Sequence, residues 1–180
     1  SLDIELDREL RGLRLGLQLD AGWGLPVDPE VRATVEAAAR RFLALRGHRL
    51  APAIQDAWAT EALAVIEHGE AQPLFAAPGR AEVPVVGRVG EAAISGTIDR
   101  LVVTAERVVI LDYKTNRPPP LVEADTPPLY LRQMAAYRAA VAAIYPDRPV
   151  RCAILWTDGP RLMWLSDAVL AGLAGATAPP

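Results

Sequence analysis

The stretch SGTIDRLVVTAERVVILDYKTN, Ser95 to Asn116, decides how this chain folds. Two β-branched runs flank a short charged turn around Ala105 and Glu106, the pattern of paired antiparallel strands. Each run carries an aspartate among valines and isoleucines, Asp99 in the first and Asp112 in the second, and Lys114 closes the second. An ionised carboxylate is costly to bury among apolar side chains unless something pairs with it. Strand side chains alternate between faces, so Asp112 and Lys114 point one way and Tyr113 the other. The turn then lays Asp99 alongside Asp112. Two readings follow: salt bridges of Asp99 with Arg100 and Asp112 with Lys114 on a solvated sheet, or a site that holds a cation.

Working outward, AEVPVVG (Ala81 to Gly87) is a third short β-branched run, so the three segments predict an antiparallel meander. Upstream, Asp28 to Leu45 has helical spacing, with Asp28 as N-cap and Pro29 at the first helical position. A second helix is predicted over Ile54 to Glu67, and the glycine-studded segment Ser1 to Pro26 reads as irregular or as a broken helix. Downstream, the proline-rich loop TNRPPPLVEADTPP gives way to a helix over Leu129 to Ile144. VRCAILWT and RLMWLS pair as strands across Asp158-Gly159-Pro160, and a short helix follows over Asp167 to Leu173. Helices, three strands, a helix and two strands predict one α/β domain with a mixed central sheet flanked by helices. Within it, residues 1–79 form a helical segment and 80–180 the core.

Composition sets the frame. The chain has 180 residues, 51% of them hydrophobic, which is enough to bury a sizeable core. No apolar run is long enough to span a bilayer, and no signal-peptide pattern opens the chain. The start on Ser1, followed by an acidic, poorly patterned segment, reads as a fragment of a longer polypeptide or as a processed or tagged start. A single cysteine, Cys152, excludes an internal disulfide framework and a four-cysteine iron–sulfur cluster, and a reducing, cytoplasmic setting is expected. The net charge of −3 does not advertise a nucleic-acid ligand, so any DNA contact has to be local or shared with a neighbouring domain.

Two carboxylates on adjacent strands supply the hard oxygen ligands that Mg²⁺ takes, and the main-chain carbonyl of Tyr113 is a third candidate ligand. Such an ion suits phosphodiester hydrolysis, with Lys114 placed to stabilise charge on the phosphate. Glu82, on the first strand, is a candidate to orient a water or a ligand at the site. In YLRQMAAYRAA, Gln133 and Tyr137 lie one helical turn apart on one face, with Tyr130 close to it. They are candidates either to contact a DNA backbone or to brace the catalytic strand.

In this order, E…GxxDR…DYKT…QxxxY resembles the RecB-type nucleases of the PD-(D/E)xK superfamily. RAEVPVVG, SGTIDRLVV, DYKTNRPPP, YLRQMAAYR and CAILWTDGPRL resemble, more narrowly, the C-terminal nuclease domains of AddA-type helicase–nucleases. The resemblance covers Arg80 to Leu165. It implies a restriction-endonuclease-like fold, Asp99 and Asp112 as metal ligands, Lys114 as the catalytic lysine, and Gln133 with Tyr137 as the helix motif. It further implies Mg²⁺, with Mn²⁺ as a substitute, cutting single-stranded DNA delivered by an ATP-driven motor during double-strand-break repair. The remainder of the helicase and an AddB-like subunit are the implied partners, with no membrane. One departure stands out: RGLRLG places Gly16 where such domains carry a helix histidine.

Two rivals are set against this. The domain is a weak or inactive nuclease-fold docking module within such a complex, or it is a free-standing exonuclease. For individual residues the plainer expectations are core or interface roles for Trp23, Trp58, Trp156 and Trp164. Cys152 is expected as a small buried hydrophobe, and His48 and His68 as solvent-facing or locally satisfied rings.

Overall fold

The computed structural model describes residues 29–46, 51–89 and 92–173. The opening segment with Gly16 and Trp23, the expected cap Asp28, His48 and the terminal tail lie outside the described residues. The elements run α1 (Pro29–Arg46), α2 (Pro52–Ile66), α3 (Gln72–Ala76), β1 (Gly79–Val89), β2 (Ala92–Val103) and β3 (Val108–Lys114). They continue with α4 (Pro128–Ile144), β4 (Val150–Trp156), β5 (Arg161–Leu165) and α5 (Asp167–Leu170). Proline opens α1, α2 and α4, where its missing N–H costs no helical hydrogen bond.

The five strands form one sheet in the order β1-β2-β3-β4-β5. The first three are the predicted antiparallel meander, β4 runs parallel to β3, and β5 returns antiparallel. A parallel step needs a long crossover, and α4 with its preceding loop supplies it. This is the mixed sheet with flanking helices that the order of elements predicts. Central β3 is covered on both faces, which explains why Val108 to Asp112 are all buried. Ile110 packs with Ile98, Met134, Ile154 and Trp156 beneath α4. Val109 and Leu111 pack on the other side with Val65, Leu74 and Leu155, beneath α2 and α3.

Two short elements escape sequence patterning: α3, and one 3₁₀ turn at Glu123–Asp125 inside the proline-rich loop. Both are held by tertiary contacts. Arg100 donates to the carbonyls of Leu74, Phe75 and Ala77, at 2.9, 2.7 and 3.2 Å, filling acceptors that the end of α3 leaves open. The Glu123 carboxylate accepts from both the Ser166 N–H and its hydroxyl, each at 2.7 Å. Arg100 therefore serves as a helix clasp, against the salt-bridge reading that paired it with Asp99.

The expected alternation breaks at one place, and it is next to the aspartates. Regular pleating groups Ile98 with Arg100 and Val102. Instead Ile98 joins Leu101 in the layer beneath α4, while Val102 lies in the opposite layer. β1 changes over at the same level: Ala81 faces the α2 side and Val83 the α4 side. Between them, Glu82 has a φ of 54° and drops out of the ladder opposite Asp99. The β1–β2 hairpin turns over at Glu82 and Asp99, delivering its far half to α4.

Candidate active site

β2 and β3 pair only from Arg100↔Leu111 to Val103↔Val108. Asp99 and Asp112 are the next residues along each strand, close enough for the Asp99 charge to act on Asp112, but the backbones are no longer paired there. β3 meanwhile stays paired to β4 as far as Lys114↔Trp156. The result is a fork in the sheet, whose strand groups need other partners. Asp99 Oδ2 accepts the Tyr113 N–H at 2.8 Å, replacing a strand carbonyl. The Thr97 N–H, also beyond the reach of β3, donates to the Tyr137 hydroxyl at 3.1 Å.

Asp112 is 2% exposed. Burial pushes its carboxyl above the ordinary aspartate range, the Lys114 ammonium opposes that, and the Asp99 charge adds to the rise. Lys114 lies against Asp112 Oδ2 as an ion pair. That ammonium is what satisfies the buried Oδ2. Lys114 also donates to Gln133 Oε1 at 3.2 Å and sits 4.5 Å from the centroid of the Tyr130 ring. The Tyr130 hydroxyl donates to Asn116 Oδ1 at 3.0 Å, and its ring tilts at 50° against buried Trp156.

The structure places Asp99, Asp112, Lys114, Gln133 and Tyr137 around the fork. Gln133 is tied to Lys114 and Tyr137, and Tyr137 to β2. Glu82 stands across from Asp99 on β1 with an exposed side chain. The Tyr113 side chain faces the other side of the sheet, and burial pushes its hydroxyl up to about 12. That side carries a separate groove of about 790 Å³ between α2 and the sheet, which includes Tyr113 but neither aspartate.

Other expectations divide. Cys152 is buried and burial pushes its thiol up to about 12, consistent with a packing role. Trp156 is a core anchor, whereas Trp58 and Trp164 are exposed. His68 differs from expectation: its Nδ1 is buried and has no hydrogen-bond partner. Sequence reasoning passed over Gly96 as a packing position, Asn116 as the partner of Tyr130, and Trp156 as the register neighbour of Lys114. The GxxDR spacing was the one signal available for Gly96.

The site suits a divalent cation on its donor chemistry. The carboxylates of Asp99 and Asp112 outnumber the one ammonium, leaving an excess of negative charge at the fork. Hard oxygen ligands of this kind are what Mg²⁺ takes. Among the described residues, no three His, Cys, Asp or Glu side chains come together. The two aspartates are thus the whole carboxylate complement of the fork as described.

No curated protein matches the chain. Among solved structures, one described as the crystal structure of SSO0001 aligns over 79% of this chain and 67% of its own. Its identity is 16% and its TM-score 0.33, a likeness too slight to bear on fold or function. The family comparison is of a different order: a model of the PD-(D/E)XK nuclease superfamily matches residues 13–165, taking in the fork, its lysine and the helix that braces it. The chain belongs to the PD-(D/E)XK nuclease superfamily, whose members hydrolyse phosphodiester bonds.

Proposed function

We propose that this domain is a Mg²⁺-dependent deoxyribonuclease that cuts single-stranded DNA. In this reading it is the nuclease unit of an AddA-type helicase–nuclease, acting in recombinational repair of double-strand breaks beside an AddB-like subunit. The observation that carries the chemistry is the fork: Asp99 and Asp112 stand where the β2–β3 ladder ends, with Lys114 on the same strand as Asp112 and ion-paired to it. The motif order through Tyr137 supports the narrower assignment.

Asp99 and Asp112 are the residues to hold the cation, with the Tyr113 carbonyl as a further ligand. When bound there, a divalent cation supplies activation of the attacking water and neutralisation of charge on the phosphate. Asp99 holds the Tyr113 N–H through Oδ2, which leaves its other oxygen as the candidate ligand. Lys114 supplies a fixed positive charge for the phosphate oxygens, where preorganised donors contribute most. Gln133 and Tyr130 hold its ammonium in place.

A second reading, a docking module with little activity, is favoured by the absence of a third metal-ligating side chain at the fork among the described residues. An end-labelled oligonucleotide assay separates the two. The 180-residue chain is expected to shorten single-stranded DNA in Mg²⁺ or Mn²⁺ and to leave it intact in chelator. Duplex of the same sequence should be cut at least about tenfold more slowly, since an A- or B-form duplex is more rigid than a strand that adapts to the fork. Full-length product under every metal condition, from a folded chain, leaves the docking module as the surviving reading.

A further inference from the structure

Gly96 stands in the middle of β2, paired with Val85. Glycine weakens a strand interior, and its presence there often marks the close approach of another group. Here that group is identifiable. A Cβ at position 96 would lie 2.1 Å from the Tyr137 hydroxyl oxygen, 2.9 Å from Cζ and 3.0 Å from Cε1. Tyr137 is itself 5% exposed, so its ring has little room to retreat.

The hydroxyl that occupies this space is the hinge of a polar chain. Lysine can only donate, so Lys114 fixes Gln133 Oε1 as the acceptor. The Gln133 amide nitrogen must then face away, and it donates to the Tyr137 hydroxyl at 3.3 Å. That oxygen also accepts the Thr97 N–H, one residue beyond Gly96. The chain Thr97–Tyr137–Gln133–Lys114 thus ties the β2 arm of the fork to the ammonium on the β3 arm through one face of α4.

We infer that Gly96 is a positioning residue: its missing side chain admits the Tyr137 hydroxyl against β2, and through Gln133 this fixes where the Lys114 ammonium sits relative to the aspartates. The inference rests on the nuclease reading for its catalytic meaning, although the positioning itself does not depend on it. Any side chain at 96 drives the hydroxyl off by roughly 1 Å, a displacement that can cost on the order of 10²-fold in rate when it reaches a reacting group.

The test uses two readouts on the 180-residue chain. The first needs no catalysis: the Lys114 side-chain methylene resonances, in chelator, carry the ring-current shift of the Tyr130 ring beneath the ammonium. The second is the split of kcat and KM on single-stranded DNA. Gly96→Ala is expected to move the Lys114 resonances toward exposed-lysine values and to lower kcat by about 10- to 100-fold with KM little changed. Gly87→Ala is the control, since a Cβ there meets nothing within 4 Å. Tyr137→Phe is expected to release Lys114 similarly, and Gly96→Ala added to it should cost little more in kcat.

Unchanged Lys114 resonances in Gly96→Ala, an equal effect from Gly87→Ala, or fully additive losses in the double variant would each overturn the inference. Should Gly96→Ala fail to fold, Tyr137→Phe decides: unmoved Lys114 resonances there overturn it equally. Released resonances in a wild-type background that never cuts DNA would sink the nuclease reading and leave the positioning role standing.

Discussion

Asp112→Asn is expected to abolish cleavage while making the metal-free chain more stable. The two effects have one cause. Asp112 is buried beside a second carboxylate, so its ionised form is disfavoured in the fold and its carboxyl sits above the ordinary range. For an acid whose folded pKa exceeds its unfolded value, the folded state binds the proton more readily. Stability from this group is therefore greatest below the unfolded pKa and is lost as pH rises through the folded pKa. At neutral pH the chelated chain carries that cost, and asparagine removes it; Lys114 loses its ion-pair partner in the variant but keeps Gln133 Oε1 and the Tyr130 ring.

In chelator at pH 7, the expected gain in Tm is about 2–4 °C, the shift that roughly 1 kcal/mol makes in a domain of this size. The gain should shrink as the pH is lowered through the range where Asp112 takes up a proton. Glu61 works in the opposite sense. Burial pushes its carboxyl up, but hydrogen bonds from Thr157 and Arg117 outweigh that and hold it below its ordinary value. Its contribution is lost as pH falls. Calorimetric scans of the variant and the parent at matched pH cancel Glu61 and leave the Asp112 term. In Mg²⁺ the order reverses, because a ligand that binds only the folded parent stabilises it by mass action, about 2.7 kcal/mol at 100 times its Kd. Cleavage should fall at least about 10³-fold, as expected when charge stabilisation at the reacting phosphate is removed. A variant that is less stable than the parent in chelator would contradict the account of Asp112 as a destabilised ligand.

Lys114→Met is expected to lose activity too, but with the opposite effect on stability. Removing one partner of a buried ion pair leaves an uncompensated charge and typically costs about 3–5 kcal/mol. The Lys114 side chain is 15% exposed and that of Asp112 3%, so solvent does little to soften the loss. Tm in chelator should fall by roughly 6–20 °C. Mg²⁺ should recover a large part of it, since a cation at the fork replaces the missing positive charge. Activity should stay down by about 10²–10³-fold even in saturating Mg²⁺, because that charge no longer reaches the phosphate. Lys114→Arg should recover stability better than rate: the guanidinium keeps the charge but cannot reproduce the point contact with Gln133 and Asp112. Thermal scans with and without Mg²⁺, alongside single-turnover cleavage, read all of these.

These opposed stabilities explain what the sequence made legible. Asp112 and Lys114 share a face because strands alternate, and that local rule needs no tertiary knowledge. Gln133 and Tyr137 share a face by helical spacing alone. The meander, the crossover helix and the closing hairpin follow from runs of β-branched and helix-forming residues with glycine and proline between them. Three features lay beyond local rules. The parallel pairing of β3 with β4 is a choice between sheet edges that no single segment encodes. The turnover of the hairpin at Glu82 and Asp99 sets residue 98 against the alternation that its neighbours obey. Arg100, which looked like a partner for Asp99, is spent on the carbonyls of α3. Gly96 shows the same limit in reverse: an absent side chain has meaning only once the group filling its place is known.

In the proposed reading the fork between β2 and β3 holds a divalent cation on Asp99 and Asp112. The most direct measurement is an anomalous difference map from crystals of the 180-residue chain soaked in Mn²⁺. A peak is expected between the two carboxylates, about 2.0–2.3 Å from their oxygens. A fork without anomalous density at saturating Mn²⁺ would contradict that reading.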